Sequence, residues 1–279
     1  MNKLLSDFIK NSLEEDIGQG DITSEACLED QKYGTSQLIT KEPCQIAGLK
    51  IAKAIYFKYD PNLNTELHFI DGDTIQKNEV VLTVSGSQKS ILATERLVLN
   101  CMQRMSGIAT KTKNYINKIK DLNTIILDTR KTCPGIRFLD KEAVRLGGGT
   151  NHRNGLYDVI MIKENHIDFS GGVTNAIQKC KQYLKKEKIK RDIIIEARNL
   201  EELKNILDTG GIDRIMLDNF NISDTKKAVG IVNKLYPLES SGNINLINVR
   251  EYALCGVDFI SIGDLTHSVK NIDLSMVCI

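Results

Sequence analysis

The sequence predicts an α/β chain in two parts. Residues 1–110 form an α+β layer with antiparallel character, and residues 111–279 form an incomplete, open α/β barrel of about six or seven βα units. Three observations predict this. The first part breaks into short strand-like runs separated by turn residues, with a helix among them. From Asn123 onward, short apolar runs alternate with helical segments, the pattern of parallel strands buried on both faces. Each run ends on or just before a polar residue or a glycine: Arg130, Lys163, Glu196, Asp218, Ser241 and Gly263, spaced by 33, 33, 22, 23 and 22 residues.

The elements follow in order. MNKLLSDFIKNSLEEDIG places Leu4, Leu5, Phe8, Ile9, Leu13 and Ile17 at helical spacing among charges, which suits an amphipathic helix and not a signal peptide. After the polar GQGDITSEACLED come the strand-like YGTSQLITKE, CQIAGL, TELHFI and VVLTVSG, with a turn at Asp71-Gly72-Asp73 and a helix at IAKAIYFKYD. DGDTIQKNEVVLTVSG reads as a structural hairpin. A helical stretch runs from about Ser90 to Lys120, with an expected break at Ser106-Gly107. The later strand-like runs are 124–129, 159–163, 192–196, 214–218, 236–240 and 259–263, with helices such as NLEELKNILDTGG between them. Six units fit in that stretch, whereas a full barrel takes about 250 residues. A doubly wound open sheet is the structural alternative, but no GxGxxG follows the first strand. The C-terminal residues are expected to return to the first domain.

Composition excludes several classes. Hydrophobic content of 41% and charged content of 26% are those of a globular protein, and a net charge of +1 leaves no general footprint for nucleic acid. No apolar run approaches the ~18–20 residues of a membrane span, so a cytoplasmic protein is expected. Seven cysteines, an odd number at wide spacing with no CxxC, argue against a disulfide framework or zinc site. They are expected to be reduced and mostly buried, with Cys133 in a packing role. HExxH, GxSxG and Walker A patterns are absent.

The chemistry concentrates in residues 128–166, DTRKTCPGIRFLDKEAVRLGGGTNHRNGLYDVIMIKENH. Seven Arg and Lys residues interleave there with apolar runs, which suits a folded pocket for a small, multiply anionic ligand. Barrels build their sites on the C-terminal strand ends. Arg130, Lys131, Arg153 and Lys163 suit a substrate with carboxylates, through planar guanidinium forks and compact ammonium charges. Arg137, Lys141 and Arg145 fall on the intervening helix, where they pack or pair. Glu196 and Asp218 suit Mg²⁺ held with phosphate oxygens, or else pair with the nearby cations. The turns ESSGN and SIGDLTHS offer backbone N–H groups to a phosphate. His152 is a candidate general acid, general base or carboxylate ligand. Lys163 is also a candidate Schiff-base amine of an aldolase.

The motifs DTRKTCPG, KEAVRLGGGTNHRNGLYDVIMIKENH, IMLDN, ESSGNI and GVDFISIGDLTHS resemble those of the quinolinate phosphoribosyltransferase family. EEDIGQGDITS and ATERLVLNCMQRMSGIAT carry the resemblance through the N-terminal half. It implies an N-terminal α/β sandwich before the open barrel. It also implies a reaction of quinolinate with phosphoribosyl pyrophosphate and Mg²⁺, giving nicotinate mononucleotide, pyrophosphate and CO₂ for NAD synthesis. Implied too is a homo-oligomer, a dimer or hexamer, whose site borrows Arg96 from a neighbouring subunit. Arg130, Lys131, His152, Arg153 and Lys163 match the quinolinate pocket, and Thr129 stands beside it. Glu196 and Asp218 match the acidic pair near the ribose and metal, and Lys131, Lys163, Glu196 and Asp218 carry the implied catalysis. Ser241, Gly242, Asn243, Ile262, Gly263 and Asp264 match the phosphate-binding turns. Two positions depart from the family: Ile194 replaces a usual Glu, and Asn243 stands where Gly is common. The alternatives are a similar sibling associated with molybdenum transport and a non-catalytic metabolite-binding protein on the same scaffold.

Overall fold

The structure, a computed structural model, describes residues 3–279. The chain divides into two compact units. One takes in the chain up to Lys113 together with Thr132–Gly148 and Leu265–Ile279; the other is Asn114–Lys131 with Gly149–Asp264. Residues 132–148, which the sequence reading counted with the second domain, thus group with the first. In chain order the elements are α1 (Lys3–Ile17), α2 (Ile22–Cys27), β1 (Tyr33–Thr40), β2 (Cys44–Gln45), α3 (Leu49–Tyr59), β3 (Asn64–Leu67), β4 (Thr74–Ile75), β5 (Val80–Ser87) and α4 (Gln88–Lys118). Then come β6 (Ile125–Leu127), α5 (Arg137–Leu146), β7 (Ile160–Ile162), α6 (Glu164–Ser170), α7 (Val173–Glu187), β8 (Ile193–Ala197), α8 (Leu200–Thr209) and β9 (Arg214–Asp218). The last are α9 (Ile222–Val232), β10 (Leu238–Ser241), α10 (Val249–Leu254), β11 (Phe259–Ser261), α11 (Asp264–His267) and β12 (Leu274–Cys278).

In the first unit β12, β1, β5 and β3 form one antiparallel sheet, and β2 pairs with β4. The C-terminal strand lies along β1, with Thr40 opposite Leu274. The turn at Asp71-Gly72-Asp73 does more than reverse the chain. Its Asp71 carboxylate accepts from the N–H groups of Gly48, Leu49 and Lys50, capping α3, whose own N-cap is a glycine without a side chain.

Helix α4 runs unbroken for 31 residues, so the break expected at Ser106-Gly107 is absent. Both residues serve packing instead. The Ser106 hydroxyl accepts from Ala47 N at 3.0 Å and donates to Ala47 O at 3.2 Å. A Cβ on Gly107 would stand 2.3 Å from the carbonyl oxygen of Lys270, so only glycine lets the C-terminal segment approach. Arg104 on α4 grips the fully buried Asp140 of α5 with two hydrogen bonds of 2.8 Å, and Asp140 also accepts from Cys133 N at 3.1 Å. This bidentate pair ties residues 132–148 to α4. On α5, Arg137 donates to Thr132, Arg145 pairs with Glu142, and Lys141 is buried.

The cysteines depart from expectation. Cys44, Cys101 and Cys255 are buried, but Cys27, Cys133 and Cys278 are exposed, and all seven are free thiols. Cys133 sits in a solvent-facing turn and packs no core.

In the second unit six parallel strands run in the order β7-β8-β9-β10-β11-β6. A doubly wound sheet would reverse its order at a switch point. Here β7 to β11 follow in sequence and β6 joins beyond β11, as in a barrel. Thr150 adds a single bridge outside Leu127, and among the described residues no ladder joins it to β7. The ring is therefore open at that place. Strand β8 is buried along its length, as the apolar run Ile193–Ile195 requires, and Glu196 is buried with it.

Candidate functional site

Side chains alternate across a strand, so register decides which residues share a face. Glu196 pairs with Met216, two residues before Asp218. Asp218 pairs with Ser241, and Ser241 pairs with Ser261, two before Gly263. Ile162 pairs with Ile195, which brings Lys163 opposite Glu196. Lys163, Glu196, Asp218 and Ser241 thus project from one face at the C-terminal ends of neighbouring strands.

Contacts follow that register. Lys163 Nζ donates to Glu196 Oε1 at 2.5 Å, with the Glu196 side chain nearly buried and that of Lys163 about half exposed. Arg153 is half-buried near Arg130, Glu196 and Asp158. Burial pushes the Arg153 guanidinium below its ordinary value, and the like charge of Arg130 adds to the effect, against the pull of the two carboxylates. Two arginines whose charges act on one another suit an anion with more than one negative group.

The loop carrying His152 and Arg153 is fastened from below. Asp128, fully buried just past β6, accepts from His152 N at 2.7 Å and from Asn151 Nδ2 at 2.6 Å. Asp158 accepts from Asn154 N and Gly155 N. Lys131 is exposed, and its N–H donates to the Thr129 hydroxyl at 3.0 Å.

His152, expected as an acid, base or carboxylate ligand, sits deep in the loop. Its side chain is almost wholly buried. Nδ1 accepts from Arg153 N at 2.7 Å, and Nε2 stands 3.3 Å from Glu239 Oε2. Both ring nitrogens are turned to protein groups, so the ring braces the pocket wall.

The two small turns are shaped for close approach. Gly242 has φ +96°, and a Cβ there would meet Asn219 Oδ1 at 2.2 Å. Asn219 N donates to Ser241 O at 2.8 Å, and Asn243 Nδ2 donates to Asn219 Oδ1 at 3.1 Å. Asn243 itself has φ +52°, a region asparagine tolerates better than most residues, which accounts for Asn where Gly is common. In the second turn Ile262 is buried and its N–H donates to Leu127 O at 2.9 Å. Gly263 and Asp264 follow, and the Asp264 carboxylate accepts from the buried Tyr115 hydroxyl at 2.8 Å. Arg96 lies on α4 in the first unit with its side chain exposed.

Glu196 and Asp218 are the carboxylates available to a divalent cation. Among the described residues no cluster of three or more His, Cys, Asp or Glu groups could hold a metal. Such a pair fits only a cation that draws its remaining ligands from substrate oxygens and water, the usual habit of Mg²⁺.

Sequence reasoning passed over Asp128, Glu239, Arg214 and Tyr115. A signal existed for two of them. Asp128 and Glu239 sit inside runs assigned as buried strands, where an ionised carboxylate must be paired or hydrogen-bonded.

Residues 21–106 match the quinolinate phosphoribosyl transferase N-terminal domain, and residues 108–277 match the C-terminal domain of the same family. A nicotinate-nucleotide pyrophosphorylase [carboxylating] of Arabidopsis thaliana, named as chloroplastic, is 41% identical over 98% of this chain and 82% of its own. A probable nicotinate-nucleotide pyrophosphorylase [carboxylating] of Bacillus subtilis is 39% identical over 99% of this chain and 92% of its own. The structure of the nicotinate-nucleotide pyrophosphorylase from Francisella tularensis superposes with a TM-score of 0.94 at 37% identity, covering 100% of this chain and 97% of that one.

Proposed function

The chain belongs to the quinolinate phosphoribosyltransferase family, and from that premise we propose that it transfers the phosphoribosyl group of phosphoribosyl pyrophosphate to quinolinate with loss of CO₂. The products are nicotinate mononucleotide, pyrophosphate and CO₂, a step of de novo NAD synthesis. The observation that carries the reading is the contact of Lys163 with Glu196 at adjacent strand ends, beside a half-buried Arg153 that feels the charges of Arg130 and Glu196.

Quinolinate has two adjacent carboxylates. Arg130 and Arg153 hold them through guanidinium forks, with Lys131 and Lys163 adding compact charge. Clamped this way, the ring nitrogen is aimed at the anomeric carbon, which lowers the entropic part of the barrier. As pyrophosphate leaves, positive charge develops on the ribose, and Glu196 and Asp218 face it as fixed negative groups. The Ser241–Asn243 turn and the Ile262–Asp264 turn receive the phosphate through backbone N–H groups. Mg²⁺, held by Glu196 and Asp218 with substrate oxygens, would neutralise the departing pyrophosphate. After transfer the pyridinium nitrogen carries positive charge and stabilises, by its charge, the electron pair left on the neighbouring ring carbon when the carboxylate there departs as CO₂. A proton then takes the vacated position.

Lys163 is better suited to binding than to Schiff-base chemistry. Such a lysine needs a desolvated amine, whereas Lys163 is about half exposed and paired with a carboxylate. The same reading includes a homo-oligomer in which Arg96 of a second copy completes the pocket. A cytoplasmic location is part of it too, supported by seven free thiols. Arg130→Ala and Arg153→Ala test the reading. Each is expected to raise the quinolinate KM at least tenfold while the KM for phosphoribosyl pyrophosphate moves little, since each removes a charged hydrogen-bonding group. Near-normal quinolinate kinetics in both variants would sink the pocket assignment.

A further inference from the structure

We propose that Glu239 is a positioning residue of the anion pocket: acting through the His152 ring, it fixes the backbone from which Arg153 reaches the substrate. This rests on the functional reading above for the role of Arg153, but the contacts themselves stand apart from it. Glu239 lies inside β10, fully buried. A carboxylate there needs compensation. Arg214 Nη1 donates to Glu239 Oε2 at 3.0 Å, and its guanidinium stacks 3.9 Å above the Phe259 ring. On its remaining side Oε2 faces His152 Nε2 at 3.3 Å, an electrostatic contact outside hydrogen-bond geometry.

The imidazole is thereby given one orientation. Nδ1 accepts the Arg153 N–H, so it carries a lone pair and the ring proton sits on Nε2. A carboxylate only accepts, and it rewards that placement of the proton. In the opposite tautomer Nδ1–H would face Arg153 N–H donor to donor, while a bare Nε2 would face a carboxylate. Glu239 therefore reinforces the tautomer that holds Arg153 N, and Asp128 holds the adjoining His152 N from the other side. Arg214 keeps the buried carboxylate charged and stationary. The chain Arg214–Glu239–His152–Arg153 leads from the barrel interior to the pocket. None of its first three members needs to touch substrate.

Glu239→Gln tests the link, because an amide can accept or donate and so satisfies either tautomer. Breaking a buried pair can cost the fold, so Arg214→Met/Glu239→Gln, which removes both charges together, is made beside it. The first readout is the ¹⁵N spectrum of the histidine rings in the full-length protein, with His152 assigned by its loss in His152→Asn. The parent is expected to show the Nε2–H form alone and both variants a mixture. The second readout is kinetic: the quinolinate KM rises about tenfold, as a weakened Arg153 N–His152 Nδ1 hydrogen bond implies, with a smaller change in kcat and in the KM for phosphoribosyl pyrophosphate. An unaltered Nε2–H form in both variants would overturn the proposal. So would a changed tautomer with an unchanged quinolinate KM. If the parent protein does not turn over quinolinate, the functional reading fails by itself, and the ring spectrum still decides whether Glu239 sets the tautomer.

Discussion

Lys163 and Glu196 hold each other directly, so their separate contributions to stability and to turnover can be resolved. Lys163→Met removes a cation 2.5 Å from Glu196 Oε1 and keeps most of the side-chain volume. Stranding a fully buried charge costs about 3–5 kcal/mol. The Lys163 side chain is 43% exposed, so water screens much of the loss and about 2 kcal/mol is expected. At roughly 2–4 °C per kcal/mol for a chain of this size class, the melting temperature falls by about 4–8 °C. Lys163→Met/Glu196→Gln leaves no orphan charge and should recover most of that loss. Activity should not recover, because the substrate has lost its ammonium partner. One charge-assisted contact of about 1.5–3 kcal/mol corresponds to roughly 10–150-fold in kcat/KM for quinolinate. Thermal unfolding and steady-state kinetics on the four members of the cycle measure both effects. A coupling below about 0.3 kcal/mol, within the scatter of independent sites, would refute the pairing argument. Parental kcat/KM in Lys163→Met would refute the substrate role.

Four further outcomes are expected. Gly242→Ala forces a Cβ onto a residue at φ +96° and against Asn219 Oδ1, so the KM for phosphoribosyl pyrophosphate should rise at least tenfold while the quinolinate KM moves less; equal effects on both would contradict a phosphate role. Asp140→Ala strands Arg104 and frees Cys133 N, and should cost about 3 kcal/mol in denaturant unfolding; a loss under 1 kcal/mol would show that the bidentate pair does not secure α5. Mixing Arg96→Ala chains with Lys163→Ala chains should restore part of the activity that neither possesses alone, whereas absence of complementation argues against a site shared between copies. The pH dependence of stability provides the fourth. Burial pushes the Glu239 carboxyl up, but His152, Ser261 and Arg214 together leave it below its ordinary value. A depressed carboxyl stabilises the fold above the unfolded-state value near 4.3 and loses that contribution as pH falls through the lower folded value. The parent should therefore lose melting temperature below about pH 4.3 more steeply than Arg214→Met/Glu239→Gln, and parallel curves would count against the shift.

Legibility from sequence tracked the range of the forces involved. The barrel strands were readable because each apolar run is local, and because strand ends recur at the length of one βα unit. The same regularity exposed Arg130, Lys163, Glu196, Asp218, Ser241 and Gly263, since a polar residue closing a buried strand has few places to go. Gly107 was misread because a glycine in a helix looks the same whether it breaks the helix or admits a neighbour, and that neighbour, Lys270, lies far along the chain. The segment 132–148 follows β6 directly, yet its decisive contact is with Arg104 in the preceding helix. His152 read as a candidate acid, base or carboxylate ligand because HRNG follows three glycines. Its buried ring faces Glu239, a strand residue 87 positions away, and no local pattern carries that. Asn243 shows the reverse case, in which a departure from the family pattern satisfies the same left-handed backbone.

The most direct test of the account is a paired assay of the purified protein with phosphoribosyl pyrophosphate and Mg²⁺, following CO₂ and pyrophosphate with quinolinate in one arm and nicotinate in the other. Quinolinate should yield both products in equal amounts, and nicotinate, which lacks the second carboxylate that Arg130 and Arg153 are placed to hold, should yield almost none. Turnover of nicotinate without quinolinate, or pyrophosphate released from quinolinate without CO₂, would contradict it.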